Sequence, residues 1–243
     1  MVNALGIIPA RGGSKAIPQK NIALVAGQPL LKYTCDVALA SRRLTRVILS
    51  TDDIAIAELG RQYQVEVPFL RPTDLARDDT PMLSVLQHAL TVLQTTESYQ
   101  PEVVILLQPT SPLRRAEHID KAVDLLLETG ADSVVSVVEV PHQFNPVSLM
   151  RIVEGKLVPF TEGLQILRRQ EKPKVYARNG PAVLAVWREV LLKKNSLYGD
   201  DCRPLIMDLK DSIDIDSPLD LEFVEFLLTR RRLKRHSHST EPL

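Results

Sequence analysis

"IIPARGGSKAIPQKN" (residues 7–21) carries an apolar run straight into glycines, a serine and three cations. A buried strand ending in such a loop is how an open α/β sheet delivers a ligand site at the carboxyl edge of its strands. Gly12 and Gly13 let the backbone approach a ligand closely and point N–H groups at it. Arg11 suits a two-pronged contact with phosphate oxygens, while Lys15 and Lys20 act as point charges that Pro18 helps to present. The stretch follows neither the G-x-G-x-x-G nor the G-x-x-x-x-G-K-[ST] spacing. Alone it predicts an anionic ligand, against the plainer reading of a solvated turn with incidental charges.

Outward from this stretch, short apolar runs alternate with segments of helical period. "ALGIIPA" (4–10), "RVILST" (46–51), "EVVILLQPT" (102–110) and "DSVVSVVEV" (132–140) read as strands apolar on both faces, as in a covered parallel sheet. Helices are expected over roughly 29–41, 53–63, 81–95 and 116–128. The alternation predicts an α/β fold: a Rossmann-like three-layer domain on a mostly parallel sheet, spanning 1–232. Between 141 and 177 the rhythm fails. There "RIVEGKLVPF" reads as a hairpin turning at Glu154-Gly155, so this excursion is either an oligomer-contact arm or a loop packed on its own subunit. "PAVLAVW" (181–187) and "PLIMDL" (204–209) restore regular structure. A closing helix follows over about 217–232, with Leu219, Phe223, Phe226 and Leu227 on one stripe. The basic and polar end, 233–243, reads as a fraying tail.

Lysine plus arginine equals aspartate plus glutamate at 30 each, so no global field points to nucleic acid or to a membrane surface. No apolar stretch approaches a membrane span and "MVNALGIIPAR" lacks the pattern of a secretory signal, which predicts a cytoplasmic protein. Cys35 and Cys202, far apart and without metal spacing, read as two separate buried thiols.

Two further constellations carry chemistry. "LLQPTSPLR" (106–114) ends a strand in a proline-rimmed loop that offers Gln108, Thr110, Ser111 and Arg114 as donors and acceptors. "DSIDIDSPLDLEF" (211–223) places Asp214 and Asp216 one residue apart, on one face if extended. Two carboxylates there invite a cation, and Mg²⁺ is usual beside phosphates. A helix N-cap at Asp216 or Ser217 before Pro218 is the plainer account, but it leaves Asp214 unexplained. Phosphate-binding cations, a polar strand-end loop and a carboxylate pair are together the equipment of nucleotidyl transfer.

With "STDD" (50–53), "RPTDLARDDT" (71–80), "RRQ" (168–170) and "NG" (179–180) in the same order, the chain resembles the acylneuraminate cytidylyltransferases from about residue 4 to 228. These are the CMP-sialic acid synthetases and their relatives for other nonulosonic acids. The resemblance implies transfer of CMP from CTP to the anomeric hydroxyl of a nine-carbon sugar acid, with pyrophosphate released, by a homodimer whose 141–177 arm reaches its partner. It implies nucleotide contacts at Ala10, Arg11, Gly12, Gly13, Ser14, Lys15, Lys20 and Asn21, with Arg71 helping to read cytosine and ribose. The sugar acid falls to Gln108, Asn145, Arg169 and Asn179, and Mg²⁺ or Mn²⁺ to Asp214 and Asp216. In catalysis Arg11 and Lys20 steady the phosphates, and Asp216 or a metal-bound water takes the proton. Asn145 stands where sialic-acid enzymes carry a lysine, and Val183 near a family tyrosine. Both departures lie on the sugar side, so legionaminic or pseudaminic acid is as good an expectation as N-acetylneuraminate. An octulosonate or phosphonate acceptor, or a silent nucleotide-binding relative, stands as the alternative.

Overall fold

The computed structural model describes residues 2–161, 168–178 and 180–238. In chain order the elements are β1 (Ala4–Pro9), β2 (Leu24–Val25), β3 (Gln28–Pro29), α1 (Leu30–Leu39), β4 (Arg46–Ser50), α2 (Ile54–Gln62) and α3 (Met82–Glu97). Then come β5 (Val103–Leu106), α4 (Ala116–Thr129), β6 (Ser133–Glu139), β7 (Met150–Val153), β8 (Lys156–Pro159) and β9 (Tyr176–Ala177). β10 (Leu184–Trp187), α5 (Arg188–Leu192), β11 (Cys202–Ile206) and α6 (Pro218–His238) close the chain.

The central sheet runs β11-β6-β10-β5-β1-β4, with β9 added beside β6. β1 lies parallel to β4 and β5, and β11 parallel to β6. Among the described residues β10 runs against both of its neighbours, β5 and β6, and β9 runs against β6. Every residue of β1 and β5 is buried, as unbroken apolar runs require when helices cover both faces. Leu31, Cys35, Ile56, Ile119 and Leu126 pack on one face, and Leu86, Leu90, Leu93 and Val190 on the other. Truncating Leu90 to alanine in such a core costs about 2–5 kcal/mol. A smaller third core joins Ile17 of the opening loop to Leu113, Ile215, Val224 and Leu228, so it ties the two ends of the chain together.

The expected hairpin is present as β7 and β8, with Glu154 and Gly155 at φ 51° and 76°. That two-residue turn needs left-handed backbone, which is why glycine sits second. Three expectations are corrected. Cys202 is exposed, because β11 is an edge strand; only Cys35 is buried, and burial pushes its thiol up to about 12. On α6 the inward residues are Val224 and Leu228, while Leu219, Phe223 and Phe226 face outward. Finally, α6 continues helical to His238, six residues into the segment read as a tail.

Candidate active site

Every motif of interest leaves the sheet at one edge. Residues 10–21 follow β1, Thr51 and Asp52 follow β4, Gln108 follows β5, and the Gly180 turn leads into β10, whose Leu184 pairs with Leu106. The antiparallel sense of β10 is what brings its beginning, rather than its end, to this edge.

The opening loop is fixed from several directions. Ala10 N–H donates to the Ser50 carbonyl at 3.0 Å. The Gly12 N–H donates to Asp52 Oδ1 at 3.1 Å, and a Cβ on Gly12 would lie 2.7 Å from Asp53 Oδ2. Asp53 itself caps α2 by accepting from Ile56 N–H at 3.0 Å. Asn21 donates to the Arg11 carbonyl at 2.9 Å, so it shapes the loop. Around Gly13 a Cβ would meet nothing within 4 Å, which leaves that backbone open to approach. Ser14 is half-buried and Lys15 exposed.

Lys20 joins the loop to the aspartate pair across 195 residues. Its Nζ donates to the Ile215 carbonyl at 2.6 Å and lies 3.9 Å from Asp216 Oδ1, with only 13% of the side chain exposed. The two aspartates differ more than their spacing predicts: Asp216 is 82% exposed, whereas Asp214 is largely enclosed. Burial pushes the Asp214 carboxyl above the usual carboxylate range and the charge of Asp216 adds to this, while Thr110, Ser111 and Lys20 pull it back. Ser111 Oγ donates to Asp214 Oδ1 at 3.3 Å, and a Cβ on Gly180 would run into the same carboxylate. Gly180 at φ 24° is therefore the space in which Asp214 sits. The N-cap account of Asp216 fails: Asp220 Oδ2 accepts from Asp216 N–H, Ser217 N–H and Ser217 Oγ, so Ser217 and Asp220 cap α6 between them.

Arg71 is buried beside Asp52 at 3.7 Å, its backbone N–H donates to Thr51 at 2.7 Å, and its Nε has no partner among the described residues. A buried unpaired donor of this kind is costly unless something outside the chain accepts from it. Gln108 is half-buried, and its side chain makes no hydrogen bond to the described residues. Its carbonyl accepts from Arg114 Nη1 at 3.1 Å. Arg114 corrects an expectation: it is fully buried, donates to Ala182 O and Thr34 Oγ1 at 2.5 and 2.7 Å, and cannot reach a ligand. Burial brings its guanidinium down to about 9, so it stays cationic at neutral pH. Arg231 ties the same region to α6, donating to the Leu113 carbonyl at 3.0 Å and to the Asp211 carboxylate.

On the sugar side the structure gathers less. Asn145 is buried, donating to the Pro173 carbonyl at 2.8 Å and accepting from Val147 N–H at 3.3 Å. With Arg169 and Lys174 it borders a shallow cleft of about 220 Å³ at the base of the arm. Val183 is fully buried in the sheet, its N–H on Ser136 Oγ at 3.1 Å, so this departure from the family cannot touch a sugar. Asn179 lies outside the described residues. Sequence reasoning missed Asp52, Asp78 and Gly180 as parts of the site. All three sit inside quoted motifs, but their roles depend on contacts across the fold. A second cavity of about 580 Å³, beside Glu102, Trp187 and Lys193, lies at the opposite sheet edge, where Lys193 is already paired with Glu189.

Among known proteins, residues 5–234 match the family described as Cytidylyltransferase. The chain belongs to that family. This cytidylyltransferase is 38% identical over 229 residues to the CMP-N,N'-diacetyllegionaminic acid synthase of Legionella pneumophila, a match covering 92% of this chain and 95% of that one. It is 30% identical over 218 residues to the N-acylneuraminate cytidylyltransferase of Escherichia coli, covering 90% of this chain and 50% of the longer relative. Its fold is shared with CMP:2-keto-3-deoxy-manno-octonic acid synthetase complexed with CTP, at a TM-score of 0.70 and 18% identity over 94% of this chain and 99% of that one. No helix among the described residues is long and apolar enough to cross a membrane.

Proposed function

We propose that this cytidylyltransferase transfers CMP from CTP to the anomeric hydroxyl of a nonulosonic acid, with a legionaminic-type acid favoured. The near-complete, 38% match to a CMP-N,N'-diacetyllegionaminic acid synthase carries the choice of acceptor. Arg11, Lys15 and Lys20 hold the triphosphate, with the open Gly13 backbone beside them because the Gly12 N–H is taken by Asp52, and Arg71 supplies its unpaired donor to the cytidine. Gln108 and Arg169 hold the sugar acid, Arg169 pairing with its carboxylate. The anomeric oxygen attacks the α-phosphorus in line. The bond from that phosphorus to the bridging oxygen breaks, pyrophosphate leaves with its charge offset by Lys20, and Asp216 accepts the hydroxyl proton.

The residues present fit Mg²⁺ or Mn²⁺. An enclosed carboxylate and an exposed one sense each other's charge and supply hard oxygen ligands, and such ions complete their shell with phosphates and water. The ion would supply Lewis-acid polarisation of the phosphate. We further read the protein as a cytoplasmic homodimer. The hairpin exposes Ile152 at 76% and Leu157 at 69%, and a lone two-stranded hairpin has no core of its own to hold it. Sedimentation tests the dimer. The reaction is tested by pyrophosphate release across four nucleoside triphosphates and a panel of nonulosonic, octulosonic and phosphonate acceptors, with and without Mg²⁺. Release only with CTP and a nonulosonic acid is expected; release with another pairing, or none, overturns the proposal.

A further inference from the structure

Asp78 lies on the exposed turn that follows Arg71 and the short 3₁₀ helix Thr73–Leu75. Its two oxygens are shared between two cations of the opening loop: Oδ1 meets Arg11 Nη1 at 2.5 Å, and Oδ2 meets Lys15 Nζ at 2.6 Å. One carboxylate thus spans a guanidinium and an ammonium, the geometry in which these groups donate to phosphate oxygens. Lys15 and then Arg11 hold its carboxyl below the usual range. Neighbouring charges are otherwise engaged, since Arg77 pairs with Asp79 at 3.0 Å. Nor does the loop need Asp78 to stay in place. Ile17 is in the third core, and Asn21 and Asp52 hold the loop backbone. Exposed pairs of this kind add little to stability.

We propose that Asp78 is a displaceable internal counter-ion that makes Arg11 and Lys15 yield only to a ligand carrying a pyrophosphate group. This rests on the reading that those cations hold the triphosphate of CTP. A nucleotide with β- and γ-phosphates must break both ion pairs to seat itself, so their free energy is subtracted from its binding. CMP, whose single phosphate is the one that reacts, breaks neither. After transfer the same carboxylate competes with departing pyrophosphate, so Asp78 weakens product retention as it weakens substrate binding.

Calorimetric titration of CTP, pyrophosphate and CMP, without acceptor, into wild type, Asp78→Asn and Asp78→Ala tests this. Both variants should bind CTP and pyrophosphate between about two- and tenfold more tightly, with CMP unchanged. Asp79→Asn removes the same formal charge one residue away and should show no such selectivity. Unchanged or weaker CTP and pyrophosphate binding in the Asp78 variants overturns the proposal, as does equal tightening of CMP or the same result from Asp79→Asn. Arg11→Ala and Lys15→Ala separate this from failure of the underlying reading. If neither weakens CTP binding, the triphosphate lies elsewhere; if both do while the Asp78 variants change nothing, only the counter-ion is refuted.

Discussion

The loop of residues 10–21 is held by β1, by hydrogen bonds to Asp52 and from Asn21, by the burial of Ile17 and by Lys20 reaching Ile215. The base of the arm, by contrast, offers a shallow cleft in which Asn145 is committed to backbone partners and Arg169 stands exposed. On the proposed function, a preformed phosphate side and an open acceptor side divide the labour. In that reading the rigid loop holds the triphosphate, while acceptors that differ are met by exposed side chains at the base of the arm.

The largest test of this contrast is at the aspartates. Asp214→Asn and Asp216→Asn should each lower turnover with Mg²⁺ by on the order of 10²–10³-fold, read as pyrophosphate release; near wild-type turnover in both would refute their role. Next comes Gly180→Ala, whose Cβ would displace the Asp214 carboxylate. Turnover should fall by about a hundredfold with the circular dichroism spectrum unchanged. On the open side Arg169→Ala should raise the KM for sugar acid about tenfold and leave the KM for CTP alone; equal changes in both would erase the distinction. The smallest effect concerns pH. Because burial raises the metal-free Asp214 carboxyl and its ionised form is the one that would hold the ion, the acid limb of Mg²⁺ affinity should lie above the ordinary aspartate range near pH ~3.9. Calorimetric titration of Mg²⁺ across pH would read it. Ser111→Ala removes a donor to that ionised form and should move the limb further up. Stability runs the other way: the fold favours the neutral carboxyl, so this contribution is present at low pH and lost as pH rises through the raised value.

Much of the fold was legible because β1, β4, β5 and β6 are apolar on both faces and the helices between them are strongly periodic. The hairpin was legible because a Glu-Gly pair between alternating strands has few other uses. The buried face of α6 was not. Leu219, Phe223 and Phe226 recur at helical spacing, but so do Leu221, Val224 and Leu228, and only the position of the third core decides between them. Arg114 misled for a related reason. A cation after a strand-end loop looks ligand-facing until the carbonyls of Gln108 and Ala182 are placed around it. The link from Lys20 to Ile215 depends on topology that local pattern does not encode.

That link has a consequence for how the protein is made. The cations of the opening loop emerge from the ribosome well before the segment of Asp214 and Asp216, and Lys20 lies 195 residues ahead of its partner Ile215. A nascent or prematurely terminated chain can therefore present the cations of the loop without Ile215 and the carboxylates beside it. On the proposed function, competence arrives late in synthesis, when the segment carrying Ile215 docks under the loop of residues 10–21.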